Sequence, residues 1–272
     1  MKKSQIISAI KRKKSFLCIG LDTDIKKIPS FFLELEDPIF EFNKRIIDAT
    51  HDLCIAYKPN IAFYEVLGPD GWKSLEKTIN YIPKGIFTIA DAKRGDIGNT
   101  SNMYAETFFN TYDFDAITLS PYMGQDSIEP FLKFKDKWSI VLALTSNKGA
   151  SDFQKLKNTE NTFVYEKVLK NVCQWGNSEN TMFVVGATKT DDLKNIRNIA
   201  PNHFLLVPGV GAQGGDLKEV IKNGINDEVG LIVNSSRSIL YASSDRDFDQ
   251  RARSAASEIQ KEMAKFCKLI FK

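Results

Sequence analysis

Gly85-Ile86-Phe87-Thr88-Ile89-Ala90-Asp91-Ala92-Lys93-Arg94-Gly95-Asp96-Ile97-Gly98-Asn99-Thr100 is an apolar run that breaks abruptly into charge. The part before Asp91 reads as a buried strand. From Asp91 onward, two carboxylates and two cations fall within six residues. Side chains on a strand alternate between faces, so Asp91 and Lys93 are expected on one side, about 7 Å apart along the chain. Gly95 lets the chain turn freely before Asp96. Such a pattern can hold an ammonium between two carboxylates at the mouth of a strand. It also fits a solvated charged turn, and the spacing alone suits both.

The same punctuation recurs along the chain. Phe16–Gly20 is a short apolar run ending in Leu21-Asp22-Thr23-Asp24, and Cys54–Tyr57 leads into Lys58-Pro59-Asn60. Pro59 forces Lys58 into extended geometry. Ala116–Leu119 ends at Ser120, Ser139–Leu144 at Thr145-Ser146-Asn147, Thr181–Gly186 precedes a helical stretch, Phe204–Val207 opens into a glycine-rich loop, and Gly230–Asn234 ends at Ser235-Ser236-Arg237. Helical periodicity fills the intervals, at about residues 37–53, 71–81, 100–112, 162–175, 190–199 and from Asp216. A first helix is expected near residues 1–14 and a long last one near 248–270. Alternation of this kind predicts parallel strands with helices outside. About eight units in about 250 residues match a (β/α)8 TIM barrel, here one domain over residues 1–272, with a doubly wound open sheet as the competitor. Asp22, Lys58, Asp91, Lys93, Ser120, Ser146, Gln213 and Arg237 all follow strand C-termini, which converge on one face of a barrel.

Composition narrows the chemistry. The 272 residues are 43% hydrophobic and 26% charged, with a net charge of +3. That charge is too small to argue for nucleic acid or a membrane surface, and no apolar run reaches the ~18 residues of a membrane span. Cys18, Cys54, Cys173 and Cys267 are not at metal-ligand spacing and read as reduced residues of a cytoplasmic protein. His51 and His203 are the only histidines, so a histidine triad or histidine-rich metal site is not expected. Lysine and aspartate must then move any proton.

Gly209-x-Gly211-x-x-Gly214 has the spacing of a dinucleotide fingerprint, but no acidic residue stands in a convincing ribose position after it. A phosphate cradle fits better, because barrels commonly bind phosphate with the loops after strands seven and eight. Those loops are Gly209–Asp216 and Asn234–Arg237, and the Arg237 guanidinium can grip phosphate oxygens in pairs. A tight turn with no ligand is the simpler alternative for the glycines.

Together, Gly20-Leu21-Asp22, Tyr57-Lys58-Pro59-Asn60, Asp91–Thr100, Thr145-Ser146-Asn147, Pro208–Gly215 and Arg237-Ser238-Ile239 resemble the orotidine 5′-phosphate decarboxylase family, longer bacterial subgroup (type 2). The resemblance spans nearly the whole chain in the family's order. It implies a homodimeric barrel that converts orotidine 5′-phosphate to UMP and CO2, the last step of pyrimidine synthesis, with no cofactor and no metal. It implies that Lys93 is the proton donor to C6 and that Asp91 sits beside the substrate carboxylate. Lys58 and Asp96 would complete the charged array, with Asp96 reaching in from the partner subunit. Asp22 and Lys58 would bind ribose hydroxyls, and Ile97 and Thr100, also from the partner, would line the pyrimidine and ribose. Ser146 would meet the pyrimidine edge, and Gln213 and Arg237 the phosphate, with backbone groups near Gly215 and Ser236. Two rivals resemble parts of this pattern. Magnesium-dependent sugar-phosphate decarboxylases or aldolases of sister barrels share Asp-x-Lys-x-x-Asp, but Ser146 and the Gln213 loop argue against them. A non-catalytic phosphoribosyl-binding barrel would tolerate loss of Lys93 or Asp91, and this chain has both.

Overall fold

The computed structural model describes residues 1–186, 190–209 and 217–271. Its strands are β1 Leu17–Gly20, β2 Ala56–Lys58, β3 Phe87–Arg94, β4 Ala116–Leu119, β5 Trp138–Leu144, β6 Thr181–Val185, β7 Phe204–Pro208 and β8 Leu231–Ser235. They follow one another around a closed barrel in chain order, with helices in the crossovers. The open-sheet alternative is thereby excluded. The strands are buried almost end to end, as expected where both faces of a parallel sheet are covered.

The expected strands and long helices are found, with shifted ends. β3 runs to Arg94, past the point where charge begins. Strand pairing requires backbone partners, not apolar side chains: Asp91 N–H donates to Pro59 O at 3.0 Å, and Ser120 N–H to Arg94 O at 2.8 Å. The helix expected at 100–112 is α-helical over Gly98–Glu106 and then loosens into a π-turn over Thr107–Thr111. The helix expected at 37–53 spans Pro38–Thr50; Asp37 caps it by accepting the Phe40 amide at 3.1 Å, and proline takes the first turn. Short helical turns at Ala62–Glu65, Ala150–Phe153 and Arg237–Leu240 have too few residues to show periodicity in sequence.

Internal packing divides the chain into two units, one mainly Lys3–Ala92 with Asn234–Lys272, the other mainly Lys93–Val233. In the first, β1 and β2 pair in parallel with Gly20 opposite Lys58. Helices Pro38–Thr50 and Phe248–Ile270 meet through buried Phe42 and Phe248, whose rings stack 5.1 Å apart, and through Arg45 and Asp249 at 2.6 Å. Burying each such ring contributes about 1.5–3 kcal/mol. In the second, β4 to β7 pair in parallel around buried Ile117, Trp138 and Phe183. Arg197, in helix Thr190–Ile199, is almost fully buried and donates to the carbonyls of Gly224, Ala200, Pro201, His203 and Gly230. Burial lowers its pKa to about 10, which leaves it charged at neutral pH. Cys18, Cys54 and Cys267 are buried and Cys173 half-buried, all four as free thiols. Among the described residues no helix is long and apolar enough to cross a membrane.

Candidate active site

Lys58 is the last residue of β2, and its side chain is almost wholly enclosed. Register places it: Gly20 is its partner across β1, and Leu21 N–H donates to Lys58 O at 3.0 Å. Asp22 therefore emerges beside it, with Oδ1 4.0 Å from Lys58 Nζ. On the other side, the bridge between Asn60 and Asp91 brings Asp91 Oδ2 to 2.6 Å from the same ammonium. Burial opposes the charge on Lys58, but the Asp91 and Asp22 carboxylates outweigh it and raise the ammonium above the usual lysine range. Lys58 is thus a fixed cation between two acids. Asp22 Oδ1 is buried and, among the described residues, accepts no hydrogen bond. A buried, unsatisfied carboxylate oxygen suits the hydroxyl donors of a ligand.

The end of β8 completes this unit's share of the strand ends. Asn234 is buried and donates from Nδ2 to Ser236 Oγ at 3.1 Å. A Cβ at Gly20 would lie 1.9 Å from that Ser236 oxygen, so any side chain there would have to displace the serine. Arg237 follows with its side chain exposed.

In the other unit, Lys93 is exposed and has a φ of +48°, a left-handed conformation uncommon for any residue but glycine. The backbone is thus kinked at Lys93, away from the fully extended form of a strand. Lys93 N–H donates to the buried Thr118 hydroxyl at 2.9 Å, which ties the kink to β4. A Cβ on Gly95 would sit 3.2 Å from Ser120 O. Asp96 is half-exposed and accepts the Ile97 amide at 2.8 Å. Ile97 and Thr100 lie exposed at the start of helix Gly98–Glu106. Ser146 is exposed on the loop after β5, whose backbone presses on Gly186: a Cβ there would lie 2.7 Å from Ser146 N. Gln154 holds the same loop by accepting the Thr145 amide at 2.7 Å.

The structure thus brings Asp22, Lys58 and Asp91 together by direct contact, and sets Ser236 against the end of β1. Gln213 and Gly215, with Gly211 and Gly214 of the glycine-rich loop, lie outside the described residues. Thr118, Gln154 and Tyr241 act around these side chains and were missed in sequence. Their partners lie between 9 and 219 residues away, a distance no local pattern encodes. Among the described residues no cluster of His, Cys, Asp and Glu could hold a metal ion.

A parallel (β/α)8 barrel with lysines and aspartates gathered at its strand ends defines a class, the barrel enzymes whose chemistry sits at the C-terminal face. Within that class the chain belongs to the orotidine 5′-phosphate decarboxylase / HUMPS family, whose model matches residues 15–248. It is 60% identical to the orotidine 5′-phosphate decarboxylase of Flavobacterium johnsoniae, over 97% of each chain. Among solved structures it is similar to Leishmania donovani OMP decarboxylase, with a TM-score of 0.84 and 36% identity over 98% of this chain and 99% of that one. Leishmania donovani UMP synthase matches with a TM-score of 0.85 and 39% identity, and this chain spans 56% of its length.

Proposed function

We propose that this enzyme decarboxylates orotidine 5′-phosphate to UMP, the last step in making UMP de novo. The observation that carries the reading is the Asp22–Lys58–Asp91 cluster, a buried ammonium held by two acids at adjoining strand ends. Full-length similarity to enzymes of that name supports it.

In the reaction the bond from C6 to the carboxylate breaks. CO2 leaves, the electron pair stays on C6, and a proton replaces the lost group. No ring atom can take up that pair as a π sink, so preorganised charge must stabilise it. Lys93 is the group we assign to this work: its ammonium faces the developing carbanion and then protonates C6. Asp91, fixed by Lys58, lies beside the substrate carboxylate, and their repulsion ends as CO2 departs. Asp22 and Lys58 bind the ribose hydroxyls, which fits the unsatisfied Asp22 Oδ1. Ser146 meets the pyrimidine edge, while Arg237, Gln213 and backbone near Ser236 and Gly215 bind phosphate, whose remote binding energy holds the substrate against the cluster. Asp96, Ile97 and Thr100 serve the site of the partner subunit in a homodimer. Ile97 is 54% exposed and Met103, one turn beyond Thr100, is 50% exposed, apolar area that a partner would cover.

The test is a spectrophotometric assay of orotidine 5′-phosphate loss in the presence of EDTA. Rapid formation of UMP is expected. A folded protein that binds UMP but turns over only sugar phosphates, and only with magnesium, would overturn the reading in favour of the sister barrels.

A further inference from the structure

Four consecutive residues after β1 are each held from outside. Tyr64 Oη donates to Leu21 O at 3.2 Å. Tyr241 Oη donates to Asp22 O at 2.9 Å and accepts the Asp24 amide at 2.8 Å. Thr23 Oγ1 donates to Asn43 Oδ1 at 2.5 Å, and Asn43 Nδ2 in turn donates to Tyr64 Oη at 2.9 Å and to Thr78 Oγ1 at 3.1 Å. Both polar atoms of the Asn43 amide are bonded, so this is a connected polar network in a buried place, the kind that fixes one geometry. What the turn presents is the Asp22 side chain, with Lys58 at 4.0 Å and the buried Oδ1 unsatisfied among the described residues.

We propose that Tyr241 is a positioning residue that sets ribose-end specificity, holding the Leu21–Asp24 turn so that the Asp22 carboxylate meets a vicinal diol of a nucleoside monophosphate. The proposal rests on the reading of Asp22 as a ribose ligand. Tyr241 is suited to the task because its single hydroxyl spans two backbone groups of one turn, one as donor and one as acceptor. Its ring is held in turn, stacked on Phe42 with centroids 6.4 Å apart and with Lys27 Nζ 5.8 Å from its centroid. Burial first, then the carboxylates of Asp24 and Asp22, push its hydroxyl up to about 12, so it remains a donor at every working pH. It also closes the turn that Arg237 opens, with Tyr241 N–H donating to Arg237 O at 3.1 Å. The residue assigned to phosphate and the residue assigned to ribose therefore share one support.

The experiment compares calorimetric binding of UMP with that of its dideoxy analogue, which lacks both ribose hydroxyls, in wild type, Asp22→Ala and Tyr241→Phe. Wild type is expected to prefer UMP by roughly tenfold or more, the range of hydrogen bonds to a charged group. Asp22→Ala should erase the preference. Tyr241→Phe should cut it at least about threefold while the analogue's affinity stays within about twofold, since only the diol contact is displaced. Full preference in Tyr241→Phe, with none in Asp22→Ala, would overturn the role of Tyr241 and leave the ribose reading standing. Full preference in Asp22→Ala would remove that reading and the proposal with it. Equal weakening of both ligands in Tyr241→Phe would mean general loosening and would also overturn it. If Tyr241→Phe fails to fold, Tyr64→Phe, which frees Leu21 O of the same turn, is held to the same outcomes.

Discussion

Lys93 presents its amine from a backbone conformation that costs a side-chain-bearing residue roughly 1–2 kcal/mol. Strain of this kind persists where the surroundings over-determine it, here the Thr118 hydroxyl on the Lys93 amide. Two effects of replacing Lys93 can therefore be separated. Lys93→Ala and Lys93→Gly should both abolish turnover while UMP binding stays measurable. Lys93→Gly should be the more stable of the two by about 1 kcal/mol in urea unfolding, because glycine adopts positive φ without strain. Activity within about tenfold of wild type in either would remove Lys93 from the proton transfer. Lys58 behaves differently. Its pKa is raised in the folded state, so its stabilisation is complete below the unfolded lysine value of about 10.4 and is lost only as pH rises through the higher folded value. The stability gap between wild type and Lys58→Met should therefore be the same at pH 7 and pH 9. A gap that shrinks by more than about 1 kcal/mol over that interval would show that the ammonium is not held as described.

Among the elements, the strands were legible because burial on both faces turns them into apolar runs such as Ile117-Thr118-Leu119 and Met182-Phe183-Val184-Val185. The continuation of β3 through Lys93 was not, since it depends on carbonyls of Pro59 and Arg94 finding amides on neighbouring strands. Asp22, Lys58 and Asp91 were legible as strand-end charges, but not that Asp22 and Asp91 flank Lys58 itself, which register decides. Arg197 was silent for the same reason. Nothing in Ile196-Arg197-Asn198 marks a guanidinium that donates to five carbonyls of helix ends and loops. Arg197→Leu should cost about 3–5 kcal/mol, the scale of a buried polar network stripped of its donor, with kcat of the folded protein unchanged. Unfolding by urea measures the first and active-site-normalised assay the second. A loss under about 1 kcal/mol would mean that water replaces the guanidinium without penalty.

At the scale of the molecule, the assignment of Asp96, Ile97 and Thr100 to a partner's site makes a prediction that no monomer can meet. Lys93→Ala and Asp96→Ala proteins, each inactive, should regain activity when mixed under conditions that exchange subunits. A mixed dimer assembles one intact array of its two, so recovery near a quarter of wild type is the ceiling for random exchange, on the order set by pairwise assembly. Persistent inactivity after exchange would place the whole array within one chain. The resemblance carried this arrangement in sequence; the exposed Ile97 and Met103 are what a single chain adds to it.

The unit that holds Asp22, Lys58 and Asp91 is written in two separated pieces of chain, Lys3–Ala92 and Asn234–Lys272, whereas Lys93–Val233 is one uninterrupted stretch. Synthesis on a ribosome reads the chain from one end, and segments fold as they emerge. The turn bearing Asp22 emerges first, and its clamp Tyr241 follows only 219 residues later, shortly after the Ser236 that lies against Gly20. A nascent chain halted before Asn234 would carry both acids and the lysine, with Tyr64 and Asn43 on the turn but without the Tyr241 hydroxyl that holds the backbone of the first acid. Competence to bind ligand should thus wait until the segment that carries Tyr241 has been made.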